Sequence, residues 1–247
     1  MGLNTQHRQI RSDRKLALTA IIPAFNERGR IGNNLSVLLQ AQFVDEIIVV
    51  DDGSTDGMDA EVLQIALGDP RLKLIRHSLN RGKGQAVLSG IRATTSTALL
   101  LLDADLIGLT VQHIEALAQP VLSGEADMTI GLFRHGHFWT DLSHHLTPWL
   151  SGQRCVRTGL LRDLPRQAAQ GYGFETCLTI LARHNKWRVK KVPWMGVSHP
   201  LGHLPRSGWS GFQRKTKMYR DILWSWLVLE FGGSWPDRQQ YKIHRHR

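Results

Sequence analysis

Cysteine is nearly missing from this chain of 247 residues. Only Cys155 and Cys177 are present, too few for a disulfide framework or a four-cysteine zinc site, so both read as ordinary reduced thiols. Long apolar runs are missing too. The longest, residues 222–229, falls well short of the roughly 20 residues that span a bilayer, so no transmembrane helix is expected. Residues 1–15 are polar and basic with no apolar centre, which argues against a secretory signal and, by default, for a cytoplasmic location. No internal repeat or low-complexity stretch occurs. The balance of 42% hydrophobic and 21% charged residues excludes disorder for the bulk of the chain and indicates a folded globular protein.

Acidic residues are scarce in the second half. Residues 121–247 hold 19 Lys and Arg against 8 Asp and Glu, whereas residues 1–120 hold 12 against 13. All eight Trp and nine of the twelve His also fall after residue 120, which divides the chain into two functional regions. Such a basic half suits nucleic acid, an anionic lipid surface or phosphorylated small molecules, and charge alone does not choose among them.

Between residues 16 and 133, apolar runs rich in β-branched residues alternate with helix-length segments. Strands are expected at 16–22, 46–50, 72–76, 98–102 and 128–132, and helices at 31–41, 58–67, 85–93 and 111–122. Strands that are apolar throughout predict a mostly parallel sheet buried on both faces and flanked by helices. Ligands of such α/β sheets bind outside the carboxyl ends of the strands. The polar clusters fall there: Pro23-Ala-Phe-Asn-Glu27 after the first strand, Asp51-Asp-Gly-Ser-Thr-Asp56 after the second, and Asp103-Ala-Asp105 after the fourth. Residues 134–170 read as loops plus a short helix, followed by a helix at 174–184 and a strand at 188–192. An amphipathic, Trp-rich helix is expected at 212–231, with Arg214, Lys215, Lys217 and Arg220 crowding its first half and a frayed tail from Gly232.

Two carboxylates one residue apart at the end of a buried strand call for a cation, and a hard divalent ion completed by phosphate oxygens satisfies them. Alone, an Asp-x-Asp reads more often as a solvated strand end; this one is not alone. Asp51 and Asp52 begin a tight turn where a carboxylate can accept hydrogen bonds from a base or ribose, although Asp-Gly is also simply a turn. Asn80-Arg-Gly-Lys-Gly84 opens a helix, with glycines that admit a phosphate and a charge from Lys83, but it has no Walker spacing and no G-x-G-x-x-G follows the first strand.

Taken in order, these four motifs resemble the nucleotide-sugar domain of family 2 glycosyltransferases with the GT-A fold, over residues 16–133. The resemblance implies a UDP- or GDP-sugar donor held with Mg²⁺ or Mn²⁺ by Asp103 and Asp105. It also implies that Pro23, Asn26, Glu27, Asp51 and Asp52 lie round the base and ribose, with Lys83 near the phosphates. Further on, the chain is similar both to dolichyl-phosphate mannosyltransferase-like enzymes and to glucosyl-3-phosphoglycerate synthases. Gly171-Tyr-Gly-Phe-Glu175 and Gly196-Val-Ser-His199 follow the latter, with one residue missing before His199, whereas Ser151-Gly-Gln-Arg154 departs from it. The resemblance makes His199 a third metal ligand.

Glu175, on the first turn of its helix, is either a general base for an acceptor hydroxyl or an anion favoured by the helix dipole, and with Asp105 it forms the catalytic candidates. Arg154, Arg157, Arg162 and Arg166 either bind an acceptor or donor phosphate, Arg154 foremost, or form a solvated helix face. His135, His137, His144 and His145 have no carboxylate partners nearby in sequence and read as surface histidines. The expected organisation is a flexible N-terminus at 1–15, a nucleotide-sugar part at 16–133, an acceptor side of the same domain at 134–211, and a basic helix and tail at 212–247.

The function expected is metal-dependent transfer of a hexose to a hydroxyl or phosphate acceptor, phosphorylated or lipid-linked, with peripheral contact at the inner membrane face. The alternative is a non-catalytic module for nucleic acid or a membrane surface. An Asp-x-Asp pair would repel nucleic-acid phosphates unless a cation intervened, so nucleic acid is not expected as a partner. The sugar, the base, the acceptor, the stereochemistry and the oligomeric state stay open at this level.

Overall fold

The computed structural model describes residues 17–134, 151–161, 164 and 173–200. The N-terminal segment, the four histidines at 135–145, Arg162, Arg166, Gly171 and the helix and tail expected from 212 onward lie outside the described residues. The described elements run β1 (Leu18–Ala24), α1 (Ile31–Gln40), β2 (Glu46–Asp51), α2 (Met58–Ala66), β3 (Leu72–Arg76), α3 (Lys83–Ala93), β4 (Ala98–Leu101), α4 (Val111–Leu122), β5 (Met128–Arg134), β6 (Arg154–Arg157), a 3₁₀ turn (Thr158–Leu161), α5 (Gly173–His184) and β7 (Val189–Met195).

The strands form one seven-stranded sheet in the order β3-β2-β1-β4-β6-β5-β7. Strands β1 to β4 pair in parallel, β6 is antiparallel to both β4 and β5, and β7 runs parallel to β5. The mostly parallel α/β sheet expected from the sequence is therefore present, with corrections. Residues 134–170 are not only loops and a helix, because β6 inserts between β4 and β5 and separates them. Its sequence, Arg-Cys-Val-Arg, is too short for a periodic signal and has a charge at each end, yet Cys155 and Val156 are fully buried. β3 is likewise not buried on both faces: it is an edge strand, and only Leu72 is fully enclosed.

Strand alternation sends Leu18, Ala20, Ile22 and Ala24 into one core with α1, α2 and α4, while Ile21 faces a second core with α3 and α5. Helix α1 buries Ile31, Leu35 and Leu38 at the four- and three-residue spacing of one helical face, each worth about 1.5–3 kcal/mol. Helix α3 approaches the sheet by a different route, burying Gly84, Ala86, Val87 and Gly90. A Cβ on Gly90 would lie 2.5 Å from Cγ2 of Ile21. This close seating on β1 fixes the start of α3, and with it Lys83, over the carboxyl end of the sheet.

Candidate active site

The carboxyl ends of β1, β2 and β4 carry the predicted residues. Asp103 follows β4, and its main chain and carboxylate are clasped by one side chain: Gln153 Oε1 accepts from the Asp103 amide (3.0 Å) and its Nε2 donates to Asp103 Oδ2 (2.6 Å). Ala104 is tied down by Asn34 of α1, whose Nδ2 donates to its carbonyl (2.8 Å). The Asp-x-Asp turn is thus held from both sides of the sheet.

Lys83 Nζ lies 2.6 Å from Asp103 Oδ1 and 2.8 Å from Glu175 Oε1. Its stem leaves 38% of the side chain open, but the ammonium sits between two carboxylates. Burial alone would lower the pKa of this lysine, and the charges of Asp103 and Glu175 outweigh it and raise it. For Asp103 the balance is reversed: burial pushes the carboxyl up, while Lys83, His199 and Gln153 together bring it below the usual carboxylate range. Pro23, Lys83, Asp103, Arg154 and Glu175 line one pocket, with Gly152 at its wall. A Cβ on Gly152 would stand 2.8 Å from Lys83 Nζ and 2.9 Å from Asp103 Oδ2, so a side chain there would push these two groups from their present positions.

His199 reaches the site because Ile107 and Ser198 pair through two backbone hydrogen bonds of 2.9 and 3.0 Å. Its Nδ1 is 3.1 Å from Asp105 Oδ1 and its Nε2 is 3.6 Å from Asp103 Oδ2, and its ring meets Phe133 edge-on. Burial lowers its pKa, but Asp105 and Asp103 overcome that and raise it. Two carboxylates and an imidazole converge here, a donor set suited to Mg²⁺ or Mn²⁺. Among the described residues no group of three or more His, Cys, Asp or Glu side chains is arranged to hold a metal ion by itself; a hard ion bound through one or two carboxylates would take its other ligands from phosphate and water.

The other predicted residues have mixed placements. Glu27 stands near Asp105: burial, with Asp105 adding to it, raises its carboxyl pKa against the opposing pull of Arg30. Asn26 and Ser54 bind the first two loops together, Asn26 N donating to Ser54 Oγ and Thr55 N to Asn26 Oδ1, both at 2.9 Å. Asp51 is enclosed within its own turn, accepting from Ser54 N (2.8 Å) and facing Arg76 Nε at 3.3 Å. Asp52 accepts the backbone amides of Arg81 and Gly82. Arg154 and Arg157 lie not on a helix but at the two ends of β6. Arg154, paired with Leu101, is buried beside the site, where burial pulls its guanidinium down to about 10 against the pull of Glu175. Arg157, paired with Ala98 and facing Asp127, lies at the other end of β6, by the amino end of β4, which separates it from the Asp103 site. Both cysteines are buried thiols pushed up to about 12. Sequence reasoning missed Gln153, Asn34, Phe133 and His77, each of which acts across long sequence separations.

An α/β sheet covered by helices on both faces thus gathers an Asp-x-Asp turn, a lysine and a buried carboxylate at one end. Residues 19–167 match glycosyl transferase family 2, and the chain belongs to that family. It is 30% identical over 199 residues to glucosyl-3-phosphoglycerate synthase of Mycobacterium tuberculosis, an alignment covering 66% of this chain and 60% of the relative's length. The undecaprenyl-phosphate mannosyltransferase of Micrococcus luteus is 26% identical over 217 residues, covering 78% of this chain and 88% of that protein. In fold it resembles the crystal structure of the Mycobacterium tuberculosis synthase in complex with Mn²⁺ and UDP-glucose, with TM-score 0.70 and 23% identity over 87% of this chain and 79% of the other. Among the described residues no helix is long and apolar enough to cross a membrane.

Proposed function

We propose that this protein transfers a hexose from a UDP- or GDP-sugar to an acceptor carrying phosphate, either a small phosphorylated metabolite or a polyprenyl phosphate, in a metal-dependent reaction. The observation that carries the reading is the convergence of Asp103, Asp105 and His199 with Lys83 and Glu175 at the carboxyl edge of the sheet. The synthase named above has been crystallised with Mn²⁺, UDP and phosphoglyceric acid, which supports the donor and one acceptor class, and the mannosyltransferase supports the other.

Asp103, Asp105 and His199 would hold Mg²⁺ or Mn²⁺, which when bound offsets the charge that builds on the departing diphosphate. Lys83 adds its ammonium on the phosphate side. Pro23, Asn26 and Glu27 shape the base and ribose end, while Asp51 and Asp52 hold its loops in place. Glu175 accepts the proton of an acceptor hydroxyl, and Arg154 keeps a positive charge beneath it. Residues 16–133 form the nucleotide-sugar part and 134–211 the acceptor side. The basic segment at 212–231 supplies a peripheral contact with an anionic membrane, to which each Lys or Arg near the surface adds about 1 kcal/mol.

A thermal-shift screen of UDP- and GDP-sugars with Mn²⁺ tests the central claim, because a ligand bound only by the folded state raises Tm. One donor is expected to stabilise the protein with metal and not without it; no response to any donor would overturn the reading. His199→Ala is expected to raise the Mn²⁺ concentration for half-maximal binding about 10-fold, a loss of the size seen when metal-site partners are removed. An unchanged titration would make His199 structural. Vesicles with acidic lipid should co-sediment the intact protein at low salt and not the Lys215→Glu, Lys217→Glu variant.

A further inference from the structure

A second buried polar chain lies beside the site, between β2, β3 and α3. His77 is the first residue beyond β3 and is 7% exposed. Its Nδ1 is 2.7 Å from Asp52 Oδ1 and its Nε2 is 2.8 Å from Ser89 Oγ. The β2–β3 register, with Asp51 opposite Arg76, brings Asp52 and His77 side by side one step past the paired strands. A carboxylate can only accept, so Nδ1 donates to Asp52, while Nε2 and the Ser89 hydroxyl share the second hydrogen bond.

The remaining capacity of Asp52 is committed to the loop before α3. Oδ1 accepts from Arg81 N at 2.9 Å and Oδ2 from Gly82 N at 2.7 Å. Gly82 caps α3, and Lys83 is its first residue. The chain of contacts therefore runs from Ser89 through His77 and Asp52 to the loop amides, and from there to the lysine between Asp103 and Glu175.

We infer that His77 is a positioning residue: by orienting Asp52 it fixes the backbone of Arg81 and Gly82 and so holds Lys83 in register with Asp103, Glu175 and the phosphates of a bound nucleotide. The inference rests on the proposed function for the last of these partners only. The order Ser-His-Asp matches that of nucleophilic triads, but Ser89 lies inside α3 between Leu88 and the Gly90 seated on Ile21, and Asp52 serves a loop as well as the imidazole. Positioning accounts for both facts.

The test reads Lys83 directly. Acylation of lysines in the intact protein by an amine-reactive ester, followed by mass spectrometry, should show Lys83 slow in the wild type. His77→Ala should speed its modification about tenfold, as expected when one member of a shared network is removed, with Ser89→Ala giving a smaller rise. His77→Gln, which keeps a donor for Asp52, should restore most of the protection. The rates at Lys73 and Lys190, on other parts of the sheet, should not change. Equal Lys83 rates in wild type, His77→Ala and Ser89→Ala would overturn the inference, as would a parallel rise at all lysines or covalent labelling of Ser89 by a fluorophosphonate.

A second arm measures UDP binding with Mn²⁺. His77→Ala should weaken it about tenfold in the wild-type background and less than about twofold in a Lys83→Met background, since effects that pass through one residue do not add. Additive losses would overturn the coupling. If the intact protein binds no nucleoside diphosphate, the proposed function fails, and the lysine rates still decide the role of His77.

Discussion

Asp105→Ala, like excess EDTA on the wild type, is expected to abolish metal-dependent nucleotide-sugar binding and to lower transfer by at least about 10³-fold, beyond the loss from a single electrostatic donor. The fold should survive. Asp105 is partly open to solvent, and its hydrogen-bond partner among the described side chains is His199, so removing it breaks one half-buried contact rather than a fully buried network. Asp103 is the poorer choice for this test, because its carboxylate also pairs with Lys83 and Gln153, and its loss would leave Lys83 with Glu175 alone and Gln153 Nε2 without that acceptor. Adding back Mn²⁺ should restore the chelated wild type and not the variant. Full activity in excess chelator would sink the metal assignment.

The parts of this protein that were legible in the sequence are those whose signal is local. β1, β2 and β4 are short apolar runs ending in carboxylates or in Pro23, and both features can be read within a few residues; even so, β1 proves to run two residues further than its pattern suggested, to Ala24. Asp103, Asp105 and Glu175 were legible as candidates for the same reason, whereas His199 became one only through the resemblance to a family. What could not be read is how they are held. Gln153 meets Asp103 only after β6 has paired with β4 across 50 residues, and a four-residue strand with arginines at its ends has neither the length nor the alternation to announce itself. His77 is a lone histidine after an edge strand until the β2–β3 register places it against Asp52. Arg157 was left open between a phosphate ligand and a solvated helix face, and it is on no helix: the antiparallel direction of β6 carries it to the end of the strand away from Asp103.

Glu175→Gln carries the second large effect, because it separates two roles that one position can serve. The substitution keeps the shape of the side chain and the start of α5, where Thr179 Oγ1 still donates to the residue 175 carbonyl at 2.9 Å. It removes an anion from the first turn, worth about 0.3–1 kcal/mol against the helix dipole, and one of the two carboxylates that flank Lys83. A residue that only neutralises Lys83 would, when changed, alter donor binding and leave turnover near normal. A general base acts in the transition state, and its removal is expected to lower kcat by about 10²–10⁴-fold with little change in donor affinity. The buried setting favours the second outcome: Glu175 is 7% exposed and faces a pocket shared with Asp103, so a hydroxyl entering there loses water as an alternative proton acceptor. Kinetics at saturating donor, with nucleotide affinity measured separately, distinguish the two. A loss in KM for donor with kcat unchanged would assign Glu175 to holding the lysine and move the proton acceptor elsewhere.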